Sequence, residues 1–273
     1  MTDPRISLQL YSVREHLADL DAAFGRIADL GITNVEPFSI FDRTMDAIPA
    51  LRRHGLSTPT GHAPFLSDEI EYQGRSVPLP PLATTLQAAQ ALGLETLVDP
   101  MVPAARWRST DEIARTADRL NAAAEQAAAA GVRVGYHNHS FEFHHDFDGV
   151  TGYELFTSML DQRVVLEVDV YWAAIAGQDV PALLRRLGDR VVALHLKDGP
   201  LDRDPFATDE GYVADELDQR PLGDGELDIA AILDAAPRER IDVIEFDHVN
   251  GDVFSAIERS LRCLEGSRDV VAE

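Results

Sequence analysis

Three observations predict an α/β fold closed into a single (β/α)8 barrel. A junction of amphipathic helix, glycine and apolar strand recurs five times. Strand-like and helix-like segments alternate through eight rounds. The 273 residues match the size at which such barrels form one domain, so one domain is expected over residues 1–273.

The junctions are Ala28-Asp-Leu-Gly31, Leu51-Arg-Arg-His-Gly55, Ala91-Leu-Gly93, Ala129-Ala-Gly131 and Leu187-Gly188. Glycine just past a helix end reaches the left-handed conformation without a steric penalty. Repetition of this junction predicts repeated helix-to-strand connections and hence a parallel sheet. The pattern places strands at 6–10, 33–37, 57–62, 95–99, 132–138, 164–170, 191–196 and 241–246. Helices are expected at 19–30, 43–54, 81–92, 110–130, 151–160, 179–187, 228–236 and 251–265. Ser109-Thr-Asp-Glu112 and Asp179-Val-Pro181 carry N-terminal cap chemistry. An open doubly wound sheet is the competing architecture, but no G-x-G-x-x-G follows the first strand. Two long loops, 63–80 and 198–227, follow strands three and seven, on what would be the catalytic face of a barrel.

Val164-Val-Leu-Glu-Val-Asp-Val170 shows most clearly what the strands carry. Its β-branched residues read as a strand buried on both faces, and it ends on Asp169 with Glu167 two residues earlier on the same face. A carboxylate there is costly unless a cation meets it. All eight strands end in or near a polar residue: Gln9, Glu36, His62, Asp99, His137 with His139, Asp169, His195 and Glu245. The opposite strand ends show no such set.

Tyr136-His-Asn-His-Ser-Phe-Glu-Phe143 is the densest cluster. His137 and His139 share a strand face at period two, and Glu142 follows in the loop. Imidazole with carboxylate suits a divalent transition ion; the bland alternative is a histidine bonded within the rim and a solvated Glu142. For Asp169 the alternative is a helix cap, for Lys197 a solvated loop cation, and for Glu245 a rim ion pair. Tyr171-Trp172 reads as an aromatic wall, either packing or stacking on a sugar.

Net charge is −23, from 47 acidic and 24 basic residues, which repels phosphate backbones and argues against a nucleic-acid partner. It also leans toward a neutral sugar over a sugar phosphate. One cysteine, Cys263, cannot form an internal disulfide, so a reducing, cytoplasmic setting is expected. No basic n-region opens the chain, and no apolar run approaches the roughly 20 residues of a membrane span, so neither signal peptide nor membrane association is expected.

On these residues the chain resembles the xylose-isomerase-like TIM-barrel superfamily, in its sugar phosphate isomerase/epimerase branch. The resemblance covers essentially the whole chain. Its marks are Gln9-Leu-Tyr-Ser12, Val35-Glu36, Gly61-His62, Tyr136-His-Asn-His-x-x-Glu-Phe143, Asp169-Val-Tyr-Trp172, His195-Leu-Lys-Asp198 and Ile244-Glu245. It implies one divalent ion, often manganese, with magnesium, cobalt or zinc as alternatives, held by Glu142, Asp169, His195 and Glu245. Many relatives carry Glu-x-His where this chain reads His137-Asn-His139, so the fifth-strand ligand is either His137 or Glu142; Glu142 keeps a mostly oxygen site.

The resemblance further implies a metal-dependent isomerase or epimerase of a ketose or related sugar, working by proton transfer through a metal-stabilised cis-enediolate. Glu142 and Glu245 would do the acid/base work on opposite faces of the substrate. Lys197 and His139 would hold or protonate substrate oxygens, and Glu36, His62, His137 and Trp172 would contact the sugar. A dehydratase or lyase acting on an inosose or keto-sugar is the alternative. An apurinic endonuclease, which uses a three-metal site with more histidines, and a non-catalytic sugar-binding protein are weaker ones. Barrels of this branch are often dimers or tetramers, so a homo-oligomer is expected.

Overall fold

A computed structural model describes residues 5–39, 44–72, 75–207 and 217–271. Eight parallel strands form one sheet: β1 Ile6–Gln9, β2 Asn34–Glu36, β3 Thr60–His62, β4 Thr96–Asp99, β5 Arg133–His137, β6 Val165–Asp169, β7 Val191–Leu196 and β8 Ile241–Ile244. In space they run β2-β1-β8-β7-β6-β5-β4-β3. The remaining gap, between β2 and β3, is bridged by backbone bonds from Val35 N to Ser57 O (2.9 Å), Ser57 N to Thr33 O (2.9 Å) and His62 N to Pro37 O (2.8 Å). The sheet is therefore a near-closed (β/α)8 barrel.

The outer ring holds α1 Leu20–Asp29, α2 Thr44–Arg53, α3 Leu82–Leu92, α4 Thr110–Ala129 and α5 Gly152–Met159. A short α6, Val170–Ile175, leaves β6 directly; α7 Val180–Leu187, α8 Ile229–Ala235 and α9 Val253–Val271 follow. Every expected helix is present within a few residues, although the start expected at residue 43 lies outside the described residues and α9 runs longer than its pattern suggested. All five junction glycines have positive φ; at Gly93, φ +83° and ψ +26° complete a left-handed cap. Ser109 and Asp179 cap α4 and α7, accepting from Glu112 N and Ala182 N.

Two features were not marked by the pattern. The segment expected as a loop at 63–80 contains an antiparallel hairpin, Glu69–Tyr72 with Arg75–Pro78, whose residues 73–74 lie outside the described residues. A second, two-residue hairpin pairs Asp146–Phe147 with Val150–Thr151. Hairpins this short carry too few alternating residues to register as strands. The loop expected at 198–227 includes residues 208–216, also outside the described set. Its described ends are gathered by Asp198, whose buried carboxylate accepts from the backbone N–H of Gly199, Gly223, Gly225 and Leu227.

The core fills the space between strands and helices, with Leu8, Val35, Leu97, Val134, Leu166, Val168, Leu194 and Ile244 fully buried. The barrel interior is different. Its inward layer at the carboxyl end is polar, because period-two alternation along each strand turns the charged positions inward together.

Candidate active site at the carboxyl ends of the strands

Register brings the polar positions level. Gln9 on β1 is the partner of Glu36 on β2, His137 on β5 of Glu167 on β6, and Asp169 on β6 of His195 on β7. Glu167 and Asp169, two residues apart, face inward together, and a register shift between Leu166 and Glu167 sets Asp169 level with His195 on β7.

The inner layer is a lattice of alternating imidazoles and carboxylates, all nearly or fully buried. Glu167 Oε1 lies 2.5 Å from His62 Nε2, 3.0 Å from His195 Nε2 and 3.1 Å from His137 Nδ1. Glu36 Oε1 lies 2.6 Å from His195 Nε2 and 3.2 Å from His62 Nε2, and it accepts from Gln9 Nε2 at 2.7 Å. His195 also bonds through Nδ1 to Glu245 Oε2 at 2.5 Å. A layer closer to the mouth centres on Lys197, which is 1% exposed. Its Nζ lies 2.9 Å from Asp169 Oδ2, 2.8 Å from Glu245 Oε2 and 2.9 Å from Asp247 Oδ2.

Burial and neighbours set the charges. Burial opposes a charge on His195, but Glu167, Glu245 and Glu36 outweigh it and hold its pKa well above the usual imidazole value. The same opposition leaves Lys197 firmly protonated beside Asp169, Asp247 and Glu245. Glu245 and Glu167, although desolvated, are kept well below the carboxylate range by Lys197 and His195 in the first case and by His195 and His62 in the second. Glu36 is pushed up, by burial and then by the Glu167 charge. Burial raises Asp169 to about 6, with Lys197 working against the shift. Burial drops His137 to about 3, helped by His195, and it also drops His139.

Two groups of ligand atoms fit a metal ion, each with its atoms within 4.8 Å of one another: His62, His137, Glu167 and His195, and His137, Asp169, His195 and Glu245. Nitrogen and oxygen donors of this kind suit a divalent transition ion. Two buried carboxylate oxygens, Glu36 Oε2 and Glu167 Oε2, have no hydrogen-bond partner, an arrangement that a cation would relieve.

Of the four ligands expected from the sequence, the structure therefore brings Asp169, His195 and Glu245 together, joined by His137. Glu142 stands outside both groups. Its Oε1 accepts from Tyr136 Oη at 2.9 Å and its Oε2 from His139 N at 2.9 Å. Burial raises its carboxyl to about 8, so it is mostly protonated at neutral pH. Two bland alternatives hold alongside the chemical reading. Asp169 Oδ1 does cap α6, accepting from Trp172 N at 2.9 Å, and Glu245 does pair with a lysine. Lys197, in contrast, is no solvated loop cation. Trp172 is fully buried, with Lys197 Nζ 5.4 Å from its ring centroid and His139 stacked at 6.1 Å. Glu36 and His62 lie deep in the inner lattice. His144 ion-pairs with Asp204 at 2.7 Å, and Asp99 holds the backbone N–H groups of Phe65, Leu66 and Met101.

Sequence reasoning undervalued Glu167, the carboxylate that meets three histidines, and Asp247. The signal was present: Glu167 and Asp169, like Glu245 and Asp247, are spaced by two and so share a face.

Comparison with known proteins agrees with this architecture. Residues 24–247 match the family described as xylose isomerase-like TIM barrel. The chain belongs to that family. It is 28% identical over 221 residues to an uncharacterized protein of Mycobacterium leprae, covering 72% of this chain and 76% of that one. A sugar phosphate isomerase/epimerase from Parabacteroides distasonis superposes with TM-score 0.74 at 23% identity, over 97% of this chain and 94% of the other. A probable 3-DHS dehydratase from Bacillus anthracis superposes with TM-score 0.71 at 13% identity, over 95% and 98%. At these identities the superpositions establish the fold. Among the described residues no helix is long and apolar enough to cross a membrane.

Proposed function

We propose that this member of the family is a divalent-metal-dependent sugar isomerase or epimerase, acting on a ketose or related sugar by moving a proton on the carbon next to the carbonyl. The observation that carries the reading is the convergence of His137, Asp169, His195 and Glu245 within 4.8 Å at the mouth of the barrel, beside a buried lysine. These four would hold the ion, a mixed nitrogen and oxygen set that admits manganese among the divalent transition ions. When bound, the ion supplies Lewis-acid stabilisation of the negative charge that develops on the substrate oxygens.

The chain's own residues do the rest. Glu245, held ionised by Lys197 and His195, is the base for the carbon-bound proton. Lys197 presents a fixed positive charge to a developing oxyanion without having to reorganise. His139 is neutral and half-buried, and its Nδ1 has no partner, so it can exchange a hydrogen bond with a substrate hydroxyl. Trp172 forms the wall behind it. Glu36, His62 and Glu167 orient His195 from below, as carboxylate partners fix the ring of a ligating histidine.

One observation favours a second reading, a dehydratase or lyase. A carboxyl raised to about 8 at Glu142, held at the mouth by the His139 backbone N–H, carries a proton at neutral pH and is itself the acid available to a leaving hydroxyl. In either reading the reacting unit is a sugar, the net charge of −23 disfavours nucleic acid, and the single cysteine fits a cytoplasmic setting. A homo-oligomer is part of the same proposal.

The test is turnover of a ketose panel by manganese-loaded protein, with metal content measured in parallel. Glu245→Gln is expected to lower kcat by on the order of 10²-fold or more. Unchanged turnover in that variant would remove Glu245 as the base, and failure of the wild-type protein to retain a divalent ion would remove the metal-dependent reading.

A further inference from the structure

Beside the polar cluster, the structure holds an apolar chamber that the proposed proton transfer does not use. The wall formed by Trp172 and His139 continues outward through two phenylalanines. The His139 and Phe141 rings lie parallel with centroids 5.6 Å apart, and Phe206 meets His139 edge-on at 5.5 Å, Phe141 at 5.3 Å and Trp172 at 5.3 Å. Phe141 and Phe206 also line a cavity of about 840 Å³, together with Ile70 of the hairpin and Met101, Val102 and Pro103 after β4. Met101 is 48% exposed there, among the few large apolar side chains the described surface leaves open.

Size and chemistry both constrain the occupant. A free hexose has twelve heavy atoms. At ~30 Å³ each, the share of a water molecule in the liquid, it fills less than half of this chamber, and its hydroxyls find their partners in the polar cluster next door. The lining offers ring edges, a thioether and the Arg106 guanidinium, all of which favour a planar π-system. The charges of the lining offset one another, Asp68 being paired with Arg119 at 2.8 Å and Glu69 set against Arg106, so nothing there calls for a charged substituent.

We infer that the substrate is a sugar conjugate carrying a neutral aromatic substituent, with the sugar over the His137–Asp169–His195–Glu245 cluster and the ring between Phe141, Phe206 and Met101. The inference rests on the reading that the polar cluster receives the sugar.

Calorimetric titration of the manganese-loaded protein with 6-O-phenyl-D-fructose and 6-O-methyl-D-fructose, which keep the ketose carbonyl, tests it. The phenyl compound is expected to bind about tenfold more tightly or better. Met101→Glu, a change at an exposed position that leaves the core intact, is expected to bring the phenyl-to-methyl ratio close to one. Equal affinities in the wild-type protein, binding of neither ketose ether, or an unchanged ratio in the variant would overturn the inference. Ketose turnover is scored separately. Turnover without a phenyl preference removes the conjugate substrate alone, and a phenyl preference without metal or turnover removes the isomerase reading alone.

Discussion

Replacing Lys197 by methionine keeps the length of the side chain and deletes its charge. The ammonium sits within 2.8–2.9 Å of three carboxylates and is 1% exposed, so its deletion leaves those carboxylates without their cation in a desolvated site. At an effective dielectric of about 20, each contact is worth ~6 kcal/mol of attraction. Desolvation of the ammonium and the carboxylates offsets several kcal/mol per ion, which is why breaking a buried cluster by removing one partner costs about 3–5 kcal/mol in total. For a chain of this length that corresponds to a fall of roughly 10 °C in Tm. The measurement is thermal unfolding of metal-stripped wild type and Lys197→Met, each repeated with saturating manganese. A divalent ion restores the charge that the variant lacks, so manganese should raise the variant's Tm more than that of the wild type. A metal-free variant melting within about 2 °C of wild type would show that the three carboxylates do not depend on Lys197, and the electrostatic account of the mouth would fall with it.

Three further outcomes are expected. Metal affinity should climb with pH: Asp169 titrates at about 6 and His195 well above its ordinary value, both must lose a proton to bind an ion, and protonation therefore competes with metal below those values; a flat affinity profile between about pH 5 and 8.5 contradicts this. Manganese at a hundredfold excess over its Kd should stabilise the wild-type protein by about 2.7 kcal/mol, read as a shift in Tm, and Glu245→Gln should lose most of that gain; an equal gain in the variant places the ion elsewhere. Gly225→Ala should destabilise by about 1–3 kcal/mol in urea unfolding and speed proteolysis between 199 and 227, because an added Cβ collides with Asp198 Oδ1 and Gly199 N where that carboxylate gathers the loop; a wild-type unfolding midpoint refutes the assigned role of Asp198.

The barrel was legible in the sequence because its signals are local. A helix must stop before a strand can begin, and Gly31, Gly55, Gly93, Gly131 and Gly188 mark those stops with a backbone conformation that side-chain-bearing residues rarely adopt. Polar residues at the carboxyl ends of apolar runs likewise marked the functional mouth, since period-two alternation decides which of them face inward. That much followed from neighbours along the chain. Which carboxylate meets which imidazole did not. Glu167 and His62 are 105 residues apart, and Glu36 and His195 are 159 apart; closure of the barrel brings them together across its interior. The placing of His137 among the clustered ligand atoms and of Glu142 outside them arises in the same way. Tyr136 and the His139 N–H draw Glu142 away from the lattice, and no spacing in Tyr136–Phe143 encodes that preference. The sequence by itself determined the strands, their order and the residues offered at the mouth; the tertiary structure alone decided the pairing among them, because contacts across a closed barrel depend on the register between strands distant in the chain.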